Sequence, residues 1–192
     1  MAVENPFLDK LVRSFSVELP VHETMDQYLD EIIPLVRPWG EDLREEEFYL
    51  DTRWLEIRDT DDFHESILHI FRAEEEYLIS IDGNIYKGAW RRLPKSNTLI
   101  IDQMDEGQAI KSELFDLAFM NADFFILKKH GNQKRIGKKK YFVLGREKLA
   151  RGLEWRDVME LLFNRYRNNS QFIVWVVLAV VLVAIFVVYS FL

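Results

Sequence analysis

The side chains of this 192-residue chain that could do chemistry are thinly spread. With no cysteine there is no thiol nucleophile and no Cys-based zinc site. The four histidines, His22, His64, His69 and His130, stand far apart, except for a pair five residues apart in a stretch that reads as strand. An odd spacing there puts His64 and His69 on opposite faces, a poor start for a shared metal. His64-Glu65 has no second histidine at helical spacing, so it is not a zincin helix. There is no glycine-rich phosphate loop, no Gly-x-Ser-x-Gly and no nucleotide fingerprint. Asp102, Asp105 and Glu106 lack the spacing of a Ca²⁺ loop, and Glu74-Glu75-Glu76 reads as a solvated turn. The expectation is a protein that is not an enzyme and that uses no cofactor and no metal.

Charge is more informative. Residues 1–70 hold 18 Asp/Glu against 6 Lys/Arg, whereas residues 71–192 hold 14 against 19. An acidic first half is repelled by anionic headgroups or folds back over the chain's own basic part. The densest basic segment is KKHGNQKRIGKKK, with Lys128, Lys129, Lys134, Arg135, Lys138, Lys139 and Lys140 and no acid. It reads as a loop between two strands. Three readings stay open for it: a solvated tip, a contact with anionic lipid headgroups, or a nucleic-acid contact. Nucleic acid is disfavoured, because the acidic half repels phosphate and no aromatic interleaves the run to stack a base.

Phe172 to Leu192 is an uninterrupted apolar run of 21 residues without a charge. At about 1.5 Å per residue such a helix reaches roughly 30 Å, the hydrocarbon thickness of a bilayer. Trp175 and Tyr189 stand near its ends, where amphipathic rings favour the headgroup level. Arg165 and Arg167 precede it and no basic residue follows. The first residues, MAVENPFLDKLVRSF, lack the pattern of a secretory signal. The expectation is a single-pass, tail-anchored membrane protein whose N-terminal part lies in the cytoplasm, at a bacterial inner membrane.

Between Leu50 and Gly145, short β-type runs recur at about ten-residue spacing. Strands are expected near Tyr49–Arg58, Glu65–Arg72, Tyr77–Ile81, Ile85–Arg91, Thr98–Asp102, Glu113–Phe119, Asp123–Lys129 and Lys139–Gly145. Asp82-Gly83 is a hairpin signal, because glycine supplies the positive φ of a tight turn. About eight strands form an antiparallel up-and-down sheet that can close and lose its edges. Trp54, Phe71, Trp90, Phe115, Phe119 and Phe125 are bulky enough to fill a small barrel.

These runs also carry a resemblance. Thr52-Arg53-Trp54-Leu55, then Ser66 to Phe71, Tyr77 to Gly83 and Gly88-Ala89-Trp90 are followed by Thr98 to Ile101, Leu114 to Leu117 and Phe124 to Leu127. An early Trp, an Asp-Gly hairpin after Phe and Tyr, and a Gly-x-Trp resemble the small lipocalin-like domains of Bacteroidetes, over about residues 50–145. The resemblance implies a mainly-β, lipocalin-like barrel. It brings no catalytic residue with it, and such domains are often exported lipoproteins, which this chain does not look like.

Four segments result: residues 1–48, acidic with an amphipathic helix; 49–146, the barrel; 147–170, a juxtamembrane amphipathic helix; and 171–192, the transmembrane helix. In the first, Met25, Tyr28, Leu29, Ile32, Ile33 and Val36 make a helical stripe that Thr24 could cap and Pro34 would kink or end. Asn5-Pro6-Phe7-Leu8 could serve as a short docking motif. In the third, Trp155, Met159, Leu162 and Tyr166 share a stripe, so the helix packs on the barrel, lies among headgroups or pairs with another copy. The functional expectation is a non-catalytic interaction or scaffold module at the membrane, with a protein partner or self-association. The alternative is a tethered barrel that binds a small ligand or a lipid.

Overall fold

Alternation with a period of two buries one face of a strand, and eight such strands can hide that face by closing on themselves. The computed structural model of the chain takes this form. It describes residues 22–60, 66–105, 108–131 and 139–190, the side chains of 104, 105, 108–110, 167–176, 179, 184 and 188–190 excepted. The Asn5–Leu8 segment therefore lies outside the described residues.

The strands are β1 (Trp54–Ile57), β2 (Ile67–Phe71), β3 (Glu76–Ile81), β4 (Asn84–Arg92), β5 (Thr98–Asp105), β6 (Gln108–Met120), β7 (Phe124–Lys129) and β8 (Tyr141–Arg146). Each pairs antiparallel with its sequence neighbours, and β8 closes on β1 from Trp54↔Arg146 to Ile57↔Val143. The mainly-β class and the up-and-down order expected from the alternation are both present. At the β3–β4 turn Asp82 and Gly83 take φ of 47° and 88°, the two positive values of a tight hairpin.

Every second side chain points inward, and at one end the interior is packed with rings. Trp54, Phe71 and Phe125 are fully buried, Phe115 and Trp90 nearly so. Tyr49 joins them from outside the strands, 5.4 Å from Phe125 and 5.5 Å from Trp90 between ring centres. The run read as strand from Tyr49 therefore begins only at Trp54. Residues 43–50 instead cross the barrel end, with Leu43 and Tyr49 inserted and the Tyr49 hydroxyl donating to the Leu43 carbonyl. The indole N–H groups are satisfied as well, Trp54 on the Tyr49 carbonyl and Trp90 on that of Arg72.

Phe119 departs from the expected interior set. A bulge in β6 between Leu117 and Phe119 turns its phase, so Phe119 pairs with outward-facing Ile126 while Met120 pairs with Phe125. Phe119, Ile126, Val143 and Ile57 then form a buried stripe on the outside of the barrel. Its cover is α1 (Met25–Val36), whose Met25, Tyr28, Leu29, Ile32 and Val36 are buried. Thr24 and Gln27 close a capping box at the start of α1. Pro34 lies within α1 without ending it, and Pro38 falls in the following 3₁₀ turn.

The amphipathic helix expected from Glu147 onward is two helices. α2 (Glu147–Ala150) stops before Gly152, whose φ of 79° is left-handed, and α3 (Trp155–Ser190) starts afresh. Asn168-Asn169-Ser170 does not interrupt α3, since mid-helix Asn and Ser cost only tenths of a kcal/mol each. The chain divides into two compact units, one of them His22–Met159 and the other including Glu160–Leu192. In the first, Trp155 packs edge-on against Tyr28 at 5.6 Å, and Val158 and Met159 are buried. In the second, Leu162 and Phe163 are buried, whereas Val177, Leu178, Val180 to Val183 and Ile185 to Val187 are exposed. Among the described residues no helix is long and apolar enough to cross a membrane. Many side chains of the Phe172–Leu192 run lie outside that description.

The β6 bulge leaves carbonyls without ladder partners, and Arg37 answers them. Its Nη1 donates to the carbonyl of Ala118 at 2.8 Å and also to that of Leu117. Arg37→Ala should therefore lower stability by about 1–2 kcal/mol in urea unfolding. Arg37→Lys should recover only part of this, since the more strongly hydrated ammonium gives up more on leaving water to reach the bulge. An unchanged midpoint for Arg37→Ala would show that water serves the bulge equally well.

Candidate functional site

Toward the opposite end, the same inward positions turn from apolar to charged. On β1 the interior residue after Trp54 is Glu56, and Arg58 follows it; on β2 His69 stands two before Phe71. On β6 Lys111 and Glu113 precede Phe115, and Lys129 of β7 is the register partner of Phe115. With Gln103 of β5 and Phe142 of β8 they line a cavity of about 160 Å³, open at the barrel mouth.

One wall is a hydrogen-bonded chain. Arg58 Nε donates to Glu56 Oε1 at 2.5 Å, and His69 Nε2 lies 3.0 Å from Glu56 Oε2. His69 Nδ1 lies 2.5 Å from the Tyr77 hydroxyl. Burial, followed by the nearby carboxylates Glu56 and Glu113, pushes the Tyr77 phenol far up, so it keeps its proton. Glu56 accepts only, so the imidazole N–H belongs on Nε2 and the phenol donates to Nδ1. Gly88, the register partner of Tyr77, makes room for this: a Cβ there would meet the Asp102 carbonyl at 2.5 Å and the Tyr77 ring at 3.0 Å. The opposite wall is Glu113 between Lys111 (3.2 Å) and Lys129 (3.9 Å).

Chemically this mouth can bind a small polar or charged solute. Tyr77 keeps its proton and so offers no general base, and no Ser or Cys nucleophile lines the cavity among the described residues. Among the described residues no group of three or more His, Asp or Glu side chains stands close enough to hold a metal. His22 and His130 are elsewhere, 3.0 Å from Glu31 and Asp116 respectively, and His64 lies outside the described residues. Asp102 is buried on the outer face of β5, accepting from Ser112 and 3.5 Å from Arg91.

The basic segment is partly neutralised by the chain itself. Lys140 pairs with Asp30 of α1, and Lys139 Nζ lies 2.5 Å from Asp59. The backbone N–H groups of Lys140 and Tyr141 donate to the Asp26 carboxylate at 2.8 and 3.2 Å. Burial works against the Asp30 carboxylate, but hydrogen bonds from Lys140 and Tyr141 and the charges of Lys140 and Lys128 hold it below the usual range. Of the acidic half, α1 does fold back over basic residues. Lys128 faces outward beside Asp30, and Lys129 lines the mouth. Lys134, Arg135 and Lys138 lie outside the described residues.

Sequence reasoning passed over Glu56, Arg58, Gln103, Lys111 and Glu113, weighed His69 only as a metal ligand and met Tyr77 only in the strand pattern. The signal was phase. Each sits an even number of positions from an inward apolar residue of its own strand, Arg58 just past the end of β1 included, where a polar residue means a wet interior.

Glu56 supplies a pH dependence. Burial alone raises its pKa, but hydrogen bonds from His69 and Arg58, with the Arg58 charge, overcome burial and hold it at about 2, against 4.5 for a free glutamate. A depressed carboxyl stabilises the fold fully above its unfolded value, and that contribution is lost as pH falls through the folded one. Stability should thus drop by roughly 3 kcal/mol between about pH 5 and pH 2 on this group's account. Glu56→Gln should flatten that part of the profile in acid titrations of urea stability. An unaltered slope would show that the chain around His69 is not formed.

Against known proteins, the chain matches no family model, no curated protein and no solved structure.

Proposed function

We propose that this chain is a membrane-tethered, non-catalytic interaction module, a lipocalin-like barrel held at the cytoplasmic face of a bacterial inner membrane by its C-terminal segment. The observation that carries this reading is the filled interior. Trp54, Phe71, Trp90, Phe125 and Tyr49 occupy one end, and the cavity left at the other is about 160 Å³. Sites for drug-sized ligands run to about 300–1,000 Å³, and an acyl chain needs a deep apolar slot. For a lipid-holding barrel, the competing reading, the packed rings leave no such slot in the barrel interior among the described residues.

The tether is supported by the sequence of Phe172–Leu192, by the helical backbone through Ser190 and by its exposed aliphatic side chains. Nine large exposed apolar residues along one helix are unfavourable in water and favourable in lipid. The basic segment gives weaker support to headgroup contact. Lys139 and Lys140 already face Asp59 and Asp30, so any attraction to anionic lipid rests chiefly on Lys128, Lys134, Arg135 and Lys138. The partner is then a protein or a second copy, met by the outer surface of the barrel or by α3.

Capture of the epitope-tagged full chain from mild detergent, with mass spectrometry of both proteins and lipids, tests this. A protein partner at stoichiometric yield, or a dimer, is expected. A 1:1 lipid with no protein would overturn the reading. In the same cells, deletion of 172–192 should move the chain from the membrane to the soluble fraction, and persistence in the membrane would overturn the tether.

A further inference from the structure

The plugged end of the barrel carries a hollow of its own, on the rim where β8 runs into α2. It measures about 340 Å³ and is lined by Asp51, Thr52, Arg53, Arg146, Glu147 and Lys148. The backbone beneath it is fixed: Glu147 N–H donates to the Arg53 carbonyl at 2.9 Å, and Arg146 N–H to that of Asp123 at 2.8 Å. Both carboxylates of the hollow are already matched. Glu147 is buried and takes two nitrogens of Arg53, at 2.8 and 3.2 Å, and a further bond from Arg151. Asp51 lies 3.4 Å from Arg72. The side chains of Arg146 and Lys148, both exposed, have no acid partner among the described residues. Arg53, Arg72, Arg146, Lys148 and Arg151 thus stand around Asp51 and Glu147. Glu76, which also reaches Arg72 at 3.8 Å, brings its own Lys87 and so leaves that balance unchanged. Including the Asp123 carboxylate still leaves positive charge in excess. Among the described residues no apolar side chain lines the hollow.

We propose that this hollow binds a small soluble phosphomonoester, its phosphate between Arg146 and Lys148 and its polar body against Thr52 and Arg53. A phosphomonoester carries about −1.5 to −2 charges at neutral pH and three acceptor oxygens, which suits two free cations, whereas a carboxylate brings a single charge. Arg146 can meet two of those oxygens with its planar fork, and Lys148 serves the third as a point charge. Small-ligand sites run from about 300 Å³ upward, so the hollow has room for a sugar-sized body beyond the phosphate. The polar lining suits such a body and offers nothing to an acyl chain.

Ligand-observed NMR on the full chain in a neutral detergent reads the site, with glucose 6-phosphate, glucose, acetate and dihexanoyl phosphatidate as probes. Glucose 6-phosphate should bind with a dissociation constant on the order of 1 mM, acetate about ten-fold more weakly and glucose not measurably. Dihexanoyl phosphatidate, which offers the same phosphate on a lipid, should bind no more tightly than glucose 6-phosphate. Arg146→Gln and Lys148→Gln should each weaken glucose 6-phosphate about five-fold or more, since each removes one of two direct charge partners. Arg146→Lys, which keeps the charge and loses the fork, should fall between Arg146→Gln and wild type. Lys95→Gln, which removes an exposed charge from the turn between β4 and β5, should leave binding unchanged. Absence of glucose 6-phosphate binding at about 20 mM, acetate or glucose binding as tight as the phosphate ester, or binding by both Gln variants equal to wild type would each overturn the proposal. Phosphatidate bound about ten-fold more tightly than glucose 6-phosphate would assign the hollow to a lipid headgroup and overturn the soluble ligand. Where a variant lacks a cooperative melt, wild-type amide shifts on addition of glucose 6-phosphate decide. Shifts at Thr52, Arg146 and Lys148 support the site, and shifts confined to other residues overturn it.

Discussion

Much of this structure depends on the fixed volume inside a closed eight-strand barrel. Such a barrel is just wide enough for side chains to fill it. Here the filling is aromatic at one end: the rings of Phe71, Trp54, Trp90, Phe125 and Tyr49 pack at centroid distances of 5.4 to 6.2 Å. Five large rings in contact leave no deep slot, so whatever space the strands still enclose is displaced to the other end. That is why the cavity lies at the mouth, where charged side chains can line its walls beside water. Tyr49 is essential to the arrangement, because it closes the plug from outside the strand order and ties residues 43–50 to the barrel end.

A second constraint lies on the outer face. Strands β6, β7, β8 and β1 carry the apolar stripe of Phe119, Ile126, Val143 and Ile57, which must be covered. α1 supplies apolar cover, and its acidic residues fix where it sits. Asp26 and Asp30, one turn apart, take the backbone and side-chain donors of Lys140 and Tyr141, while Asp59 takes the Met25 N–H at 3.0 Å and the Lys139 ammonium. Apolar burial supplies the driving force and the carboxylates supply the register. The same contacts decide which part of the basic segment is left to act on anything else.

Much of the fold was legible in the alternation of the strands. Trp54, Phe71, Trp90, Phe115 and Phe125 share one phase of the period and are the interior. Asp82-Gly83 marks its hairpin because only positive φ fits there. Phe119 was misplaced, since a bulge changes phase by one and leaves no mark in composition. The helix after Glu147 was read as continuous because its apolar spacing carries on past Gly152, where the backbone turns. The mouth was missed as a site for a different reason. Each of its residues is ordinary as a surface residue, and only the closure of β8 on β1 brings Glu56, His69, Lys111 and Lys129 around one space. Position along a strand is local, whereas convergence across a barrel is not.

The central claim is that the interior is dry and filled at one end and wet at the other. Because the chain has no cysteine, single cysteines report on this without background. They would be placed at Leu127 and Leu144 within the plug and at Gln103 and Lys111 around the mouth, then treated with a small charged methanethiosulfonate reagent. Rapid labelling at 103 and 111 is predicted, with 127 and 144 reacting only after unfolding. Equal labelling at all four positions in the folded protein would contradict the account, because the barrel would then be hollow throughout.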